Sequence, residues 1–258
     1  MSYHKRFSGL SRLYGEDGLG KIASAKVCVV GIGGVGSWVV EALARSGINS
    51  ITMIDLDDVA LSNVNRQIHA LDSTLDQSKI EVMQQRVMDI NPDCKVSLIE
   101  DFVTVENVVD YIPSADTYDV IIDAADSVKA KAAIVARCKR LKLKVICIGG
   151  AGGQLDPLLI NKGDLAKTIQ DPLLAKVRSE LRRNYNFSTN PKRNFGIECI
   201  FSTEQLKYPS ADGGVTQSKQ SSQGASKMDC TTGFGAFVGV TASFGLIAAS
   251  RAIAYITK

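Results

Sequence analysis

The chain has 258 residues, enough for one large domain or two small ones around a sizeable buried core. Hydrophobic residues make up 45% and charged residues 22%, the proportions of a globular protein and not of a disordered or fibrous one. Thirty Lys and Arg against 27 acids leave a formal net charge of +3, so overall charge does not mark a nucleic-acid binder; such a role has to rest on local clusters. Met1-Ser2-Tyr3-His4-Lys5-Arg6 contains no apolar h-region, and no secretory signal is expected. Six cysteines, at 28, 94, 138, 147, 199 and 230, form no Cys-x-x-Cys pair, which argues against a zinc ribbon and for a reducing, cytoplasmic setting.

Strand and helix signals alternate through the first half. Val27 to Val30 is a short apolar run ending at glycines, and an amphipathic segment over 37–46 follows, closed by Gly47. Ile51 to Asp55 reads as the next strand. Residues 77–91 put Ile80, Met83, Val87 and Ile90 on one helical face, and Asn91-Pro92 ends it. Val96 to Ile99 is a third strand, and 104–112 a short helix with Thr104 as candidate N-cap. Tyr118 to Asp123, a Lys- and Ala-rich helix over 128–141, and Val145 to Ile148 complete the series.

This succession predicts an α/β fold, a Rossmann-like doubly wound and mainly parallel sheet, with an irregular C-terminal half extending the same domain. We expect one domain over 1–258. Residues 26–153 form the nucleotide-binding core and 154–258 a half that holds substrate or partner subunit. In that second half, 164–183 reads as helix and 195–201 as strand. The Ser/Gly/Gln-rich stretch at about 209–227 has too little apolar content to order itself and is expected to be a mobile loop. Residues 230–250 carry no charge and reach membrane-spanning length, but their glycines, Ser and Thr favour a buried core or subunit interface, so membrane contact is not expected.

Gly31, Gly33 and Gly36 satisfy G-x-G-x-x-G between a strand and a helix, with Gly34 beside them. Such a turn lets backbone N–H groups and a helix N-terminus approach phosphate oxygens. Asp55 ends the next strand, where an acid takes a ribose hydroxyl. This pattern fits a nucleotide or dinucleotide equally well. The segment that follows is polar and basic, with Asn63 and Gln67 as neutral donors and Arg66 and Lys79 as cations, which suits a triphosphate better than a nicotinamide cofactor.

Asp55 to Gln67 resembles the D-x-D-x-V-x-x-S-N-x-N-R-Q signature of the E1-like superfamily of adenylating enzymes. The resemblance implies ATP and Mg2+, with Asp55 on the ribose, Arg66 and Lys79 on the phosphates, and Asp126 holding the metal. Asp126 also suits a helix N-cap, and Asp57 is either a second metal or ribose ligand or a solvated loop acid. Ser127 stands where the family often has Asn. The family further implies an arginine acting on the partner subunit's ATP in a homodimer; Arg12 is the candidate, Arg6 the reserve, and a plain surface role for either stays open.

Within the superfamily, two absences count. There are no paired Cys-x-x-Cys motifs, and 258 residues leave no room for an inserted thioester domain. Arg6-Phe7, Arg12 to Gly15, Asn65 to Leu71, Gly149 to Asp156, Asp164 to Leu173 and Met228-Asp229-Cys230 resemble instead the bacterial tRNA threonylcarbamoyladenosine dehydratases. That family adenylates a tRNA-borne carboxylate and closes it into a ring. A tRNA partner needs cations, which Lys176, Arg178, Arg182, Arg183, Lys192 and Arg193 supply as candidates; the basic run over 129–144 reads rather as a solvated helix face. Cys199 and Cys230 are the thiols nearest irregular sequence. Cys230 is open either to a covalent role or to contact with a cysteine desulfurase and its sulfur acceptor. The competing activity is adenylation of a ubiquitin-like or sulfur-carrier protein C-terminus.

Overall fold

The computed structural model describes residues 2–210, 213–217 and 234–258. Helix α1 (Ser2–Ser24) is kinked at Phe7 and at Gly15, whose φ of 73° only glycine adopts readily. It leads into β1 (Lys26–Val30), α2 (Gly36–Arg45), β2 (Ser50–Ile54), α3 (Lys79–Ile90), β3 (Lys95–Ile99), α4 (Val108–Tyr111), β4 (Val120–Asp123), α5 (Val128–Leu141) and β5 (Lys144–Ile148). After these come β6 (Ile160–Asp164), α6 (Pro172–Asn184), β7 (Glu198–Ser202), the short strands β8 (Tyr208–Pro209) and β9 (Val215–Thr216), and α7 (Val238–Ile256).

Seven strands form one sheet in the order β3-β2-β1-β4-β5-β7-β6. All neighbours are parallel except β6, which runs antiparallel to β7 from Ile160↔Ser202 to Asp164↔Glu198. Both faces of the parallel strands are covered, so Val27 to Val30 and Val120 to Ile122 are near-continuous apolar runs with almost no exposure. One core lies between the sheet and α2, α3 and α7, with Val39, Leu43, Met83 and Phe244 at its centre. The other lies against α5 and α6 and is built on Ile134, Val135, Leu174 and Leu181. The strand order reverses between β1 and β4, and such a reversal opens a crevice at the carboxyl ends of the strands.

Several expected boundaries move. The 104–112 helix is the single turn α4, and Asn107 occupies its N-cap position. Thr104 closes the preceding turn instead, its Oγ1 accepting from the N–H groups of Glu106 and Asn107. The 164–183 helix starts at Pro172 because proline has no N–H and suits a first helical position; Asp171 caps it, accepting from Leu174 N–H at 2.8 Å. The uncharged C-terminal segment contains α7, a helix long and apolar enough to cross a membrane by length and composition. Here it packs along α2, with Val240, Phe244, Ala248 and Ala252 buried in the core. Of the expected 209–227 loop, β8 and β9 pair as a short antiparallel ribbon, and 211–212 and 218–227 lie outside the described residues.

Candidate active site

The turn after β1 is closed by close backbone approach. Gly31 has φ +84°, and a β-carbon at Gly36 would lie 1.7 Å from the Gly31 carbonyl oxygen. Alpha-2 then starts with Val35 at its N-cap and no side-chain cap; Ser37 N–H donates to Gly33 O and Trp38 N–H to Val35 O, both at 3.1 Å, and the Gly36 N–H meets no acceptor among the described residues and is available to an anion.

Asp55, just past β2, organises the turn. Its Oδ2 accepts from Ile32 N–H at 2.5 Å and its Oδ1 from Asp57 N–H at 2.9 Å. Burial pushes its carboxyl above the usual range, and these two N–H groups pull it back. The 57–67 loop folds back over the turn. Arg66 lays its Cγ and Cδ against Gly34, where a β-carbon would stand 3.2 Å and 3.3 Å from them. Arg66 Nη1 donates to Ser62 O at 2.6 Å and to Asn65 Oδ1 at 3.0 Å. Trp38 Nε1 donates to Arg66 O at 3.0 Å, which ties the loop to α2. The amide of Gln67 faces Gly33, and its buried Oε1 has no hydrogen-bond partner among the described residues. Asn63 is buried and accepts from Ala60 N–H at 3.1 Å. Lys79 opens α3 and pairs with Asp57 at 2.8 Å.

The fourth side is the β4–α5 turn, whose Ala124 backbone touches Gly31. Ser127, not Asp126, caps α5, accepting from Ala130 N–H at 3.4 Å. Asp126 is left exposed, with no hydrogen bond or ion pair among the described residues. Beneath it Asp123 and Lys131 form a fully buried ion pair at 3.0 Å, and Lys131 Nζ also donates to Asp123 O at 3.0 Å. Sequence reading placed Lys131 on a solvated face; an apolar helix side carrying one lysine opposite a strand-ending aspartate is the pattern that would have found the pair.

This arrangement fits a nucleoside triphosphate: a glycine turn, the Asp55 carboxylate and two cations meet beyond the carboxyl ends of the parallel strands. For Mg2+, no group of three His, Cys, Asp or Glu among the described residues is placed to hold a metal. The single unpartnered carboxylate of Asp126 fits a magnesium ion that takes its other ligands from phosphates and water.

The remaining candidates divide. Arg6 Nη1 donates to Ile90 O at 3.3 Å, at the far end of α3 from Lys79, about 16.5 Å by helix rise. Arg12 is exposed without a partner among the described residues, on an outward stretch of α1 whose neighbour Leu13 is 78% exposed. Of the basic cluster, Arg178 is held by Thr168 Oγ1, and Arg182 donates to Ser188 O at 3.3 Å while lying over the Phe195 ring. Arg183, Lys192 and Arg193 are exposed, and Lys176 and Arg183 line a depression beside Val128, at the α5 end that follows Asp126. Cys199 does not lie in irregular structure: it is buried in β7 opposite Cys147, and burial pushes its thiol well up. Cys230 lies outside the described residues.

The sequence matches the ThiF family over residues 5–258. This chain belongs to the ThiF family. Among its relatives, the tRNA threonylcarbamoyladenosine dehydratase of Haemophilus influenzae is 52% identical over 257 residues, 100% of this chain and 95% of that protein. The solved Escherichia coli tRNA N6-threonylcarbamoyladenosine dehydratase in complex with ATP has a TM-score of 0.87 at 47% identity, covering 99% of this ThiF-family chain and 95% of that one. The sulfur carrier protein ThiS adenylyltransferase of Escherichia coli is 34% identical over 141 residues, 54% of this chain and 55% of that protein.

Proposed function

We propose that this chain is an ATP-dependent tRNA threonylcarbamoyladenosine dehydratase working through an acyl-adenylate. The observation that carries the reading is the reach of the likeness: it runs end to end with the Haemophilus dehydratase but stops at about half the chain with the ThiS adenylyltransferase. The crevice supplies what adenylation needs. The substrate carboxylate attacks the ATP α-phosphorus and pyrophosphate leaves; an atom of the same side chain then attacks the activated carbonyl and AMP departs, so the tRNA loses one water overall. Arg66 and Lys79 neutralise the phosphates and the Gly36 N–H at the start of α2 donates to them, while Asp55 and Gln67 orient the nucleoside. Asp126 would hold Mg2+, whose charge would offset that of the phosphates.

Arg12, on its outward stretch of α1, is our candidate to reach the ATP of a second copy, which makes the working unit a homodimer. The exposed Arg183, Lys192 and Arg193 carry the tRNA backbone, with Lys176 beside them; Arg178 and Arg182 support the fold of that face. Five described cysteines are free thiols, in keeping with a cytoplasmic location. A contact with a cysteine desulfurase and its acceptor through Cys230 belongs to the same proposal.

ATP–pyrophosphate exchange separates this reading from carrier-protein adenylation. Exchange is expected with threonylcarbamoyl-modified tRNA and not with a carrier protein ending in glycine; the reverse pattern would transfer the chain to the second activity.

A further inference from the structure

On sequence grounds Asp57 is a metal or ribose ligand, or a loop acid. We propose instead that Asp57 is a positioning residue that aims the Lys79 ammonium at the ATP phosphates, and that it touches neither nucleotide nor metal. The inference rests on the reading of this crevice as an ATP site.

The Lys79 side chain is 6% exposed, whereas the Asp57 side chain that pairs with it at 2.8 Å is 54% exposed. A buried ammonium needs a fixed counter-charge, and no other carboxylate among the described residues lies within ion-pair distance of it. Backbone bonds lock the two residues together. Lys79 N–H donates to Asp57 O at 3.1 Å, Val59 N–H to Gln77 O at 2.8 Å, and Asp76 N–H to Val59 O at 2.9 Å. The 57–59 and 76–79 segments therefore move as one piece.

That piece is keyed to the glycine turn. Asp57 N–H donates to Asp55 Oδ1, and Asp55 Oδ2 accepts from Ile32 N–H inside the turn. An unbroken series of bonds thus runs from the phosphate cradle through Asp55 and Asp57 to Lys79 Nζ. An ammonium has three donors. With one fixed on Asp57, the directions of the other two are set relative to the cradle before any ligand arrives. Asp126 is built the opposite way, exposed and without a partner among the described residues, so its carboxylate is open to a metal ion.

The test is calorimetric titration of the full chain with ATP and with adenosine, with and without Mg2+ and without tRNA. Wild type, Asp57→Asn, Lys79→Met and the double variant are compared. Asp57→Asn and Lys79→Met are each expected to weaken ATP about tenfold and to leave adenosine within about twofold. The double variant is expected to bind ATP no more weakly than Lys79→Met, because Asp57 acts only through Lys79. The loss is expected with and without Mg2+. Additive losses, or a loss confined to Mg2+ conditions, would make Asp57 a ligand in its own right and overturn the inference. Unchanged or tighter ATP binding by Asp57→Asn would overturn it too.

Asp57→Glu keeps the charge and so protects against a variant that does not fold. Its carboxylate is displaced by one methylene, and it is expected to weaken ATP about threefold, an effect that disappears in the Lys79→Met background. Full ATP affinity in Asp57→Glu, or a persistent loss in that background, would count against the inference. Because tRNA is absent, these outcomes stand apart from the dehydratase reading. Absence of ATP binding by wild type would overturn the inference together with the ATP site.

Discussion

His69 follows the 57–67 loop, and neither of its buried ring nitrogens meets a hydrogen-bond partner among the described residues. Burial lowers its pKa to about 4, and the positive charges of Lys79 and Arg86 add to the shift. In an unfolded chain the same imidazole titrates near 6.5, so between the two values the unfolded state binds the extra proton. The contribution of a neutral His69 to stability is therefore complete above about pH 6.5 and is lost as pH falls toward 4, by about 3 kcal/mol in total. Urea unfolding of wild type and His69→Gln across that range is expected to show a stability difference that changes with pH by this amount; a constant difference would contradict it. The glycines, Asp55 and Arg66 could be singled out in the sequence because each belongs to a spaced motif with a chemical reason, and Lys79 because of its charge; the fold brings them to one end of the sheet. The sequence left His69, the partnering of Asp57 with Lys79, and the Asp123–Lys131 pair unread, since pairing across 22 and 8 positions depends on how separate elements meet.

Between elements, the most consequential contact is α7 against α2. Phe244 is fully buried there, whereas Leu246 two residues on is 49% exposed. Phe244→Ala is expected to cost about 3–5 kcal/mol of folding stability, and Leu246→Ala to have little effect. Equal losses in denaturant titrations of the two variants would refute this placement of the helix. The parallel strands were legible from their short apolar runs, and α2, α3 and α5 from helical periodicity with end signals. Beta-6 was not legible: at the sheet edge Ile-Asn-Lys-Gly-Asp carries no alternation, and its strand conformation comes from pairing with β7. The start of α6 was misplaced for a different reason, the Asp171-Pro172 signal being outweighed by the helical composition before it.

Across the whole molecule, a net charge of +3 conceals an uneven surface. Four cations of the 129–144 run turn inward or along the surface: Lys131 to Asp123, Arg137 to the Ile112 and Pro113 carbonyls, Lys139 to the Phe195 carbonyl, and Lys144 to Glu198, while Lys129, Arg140 and Lys142 are exposed. The side chains of Arg183 and Lys192 also face solvent, without partners among the described residues. Reversing both, Arg183→Glu with Lys192→Glu, is expected to weaken tRNA binding and to lower the slope of log affinity against log salt by about two. An unchanged slope would remove this face from the tRNA path. Sequence counting found the cluster but could not tell its solvent-facing members from Arg178 and Arg182, which the fold holds in place.

The dehydratase reading meets its most direct test in one reaction mixture. The purified chain with ATP and Mg2+ is given tRNA with or without the threonylcarbamoyl group, and AMP release and nucleoside mass are followed together. AMP is predicted only with the modified tRNA, one AMP for each nucleoside that loses one water. AMP formation without that mass change, or none with either tRNA while ATP still binds, would contradict it.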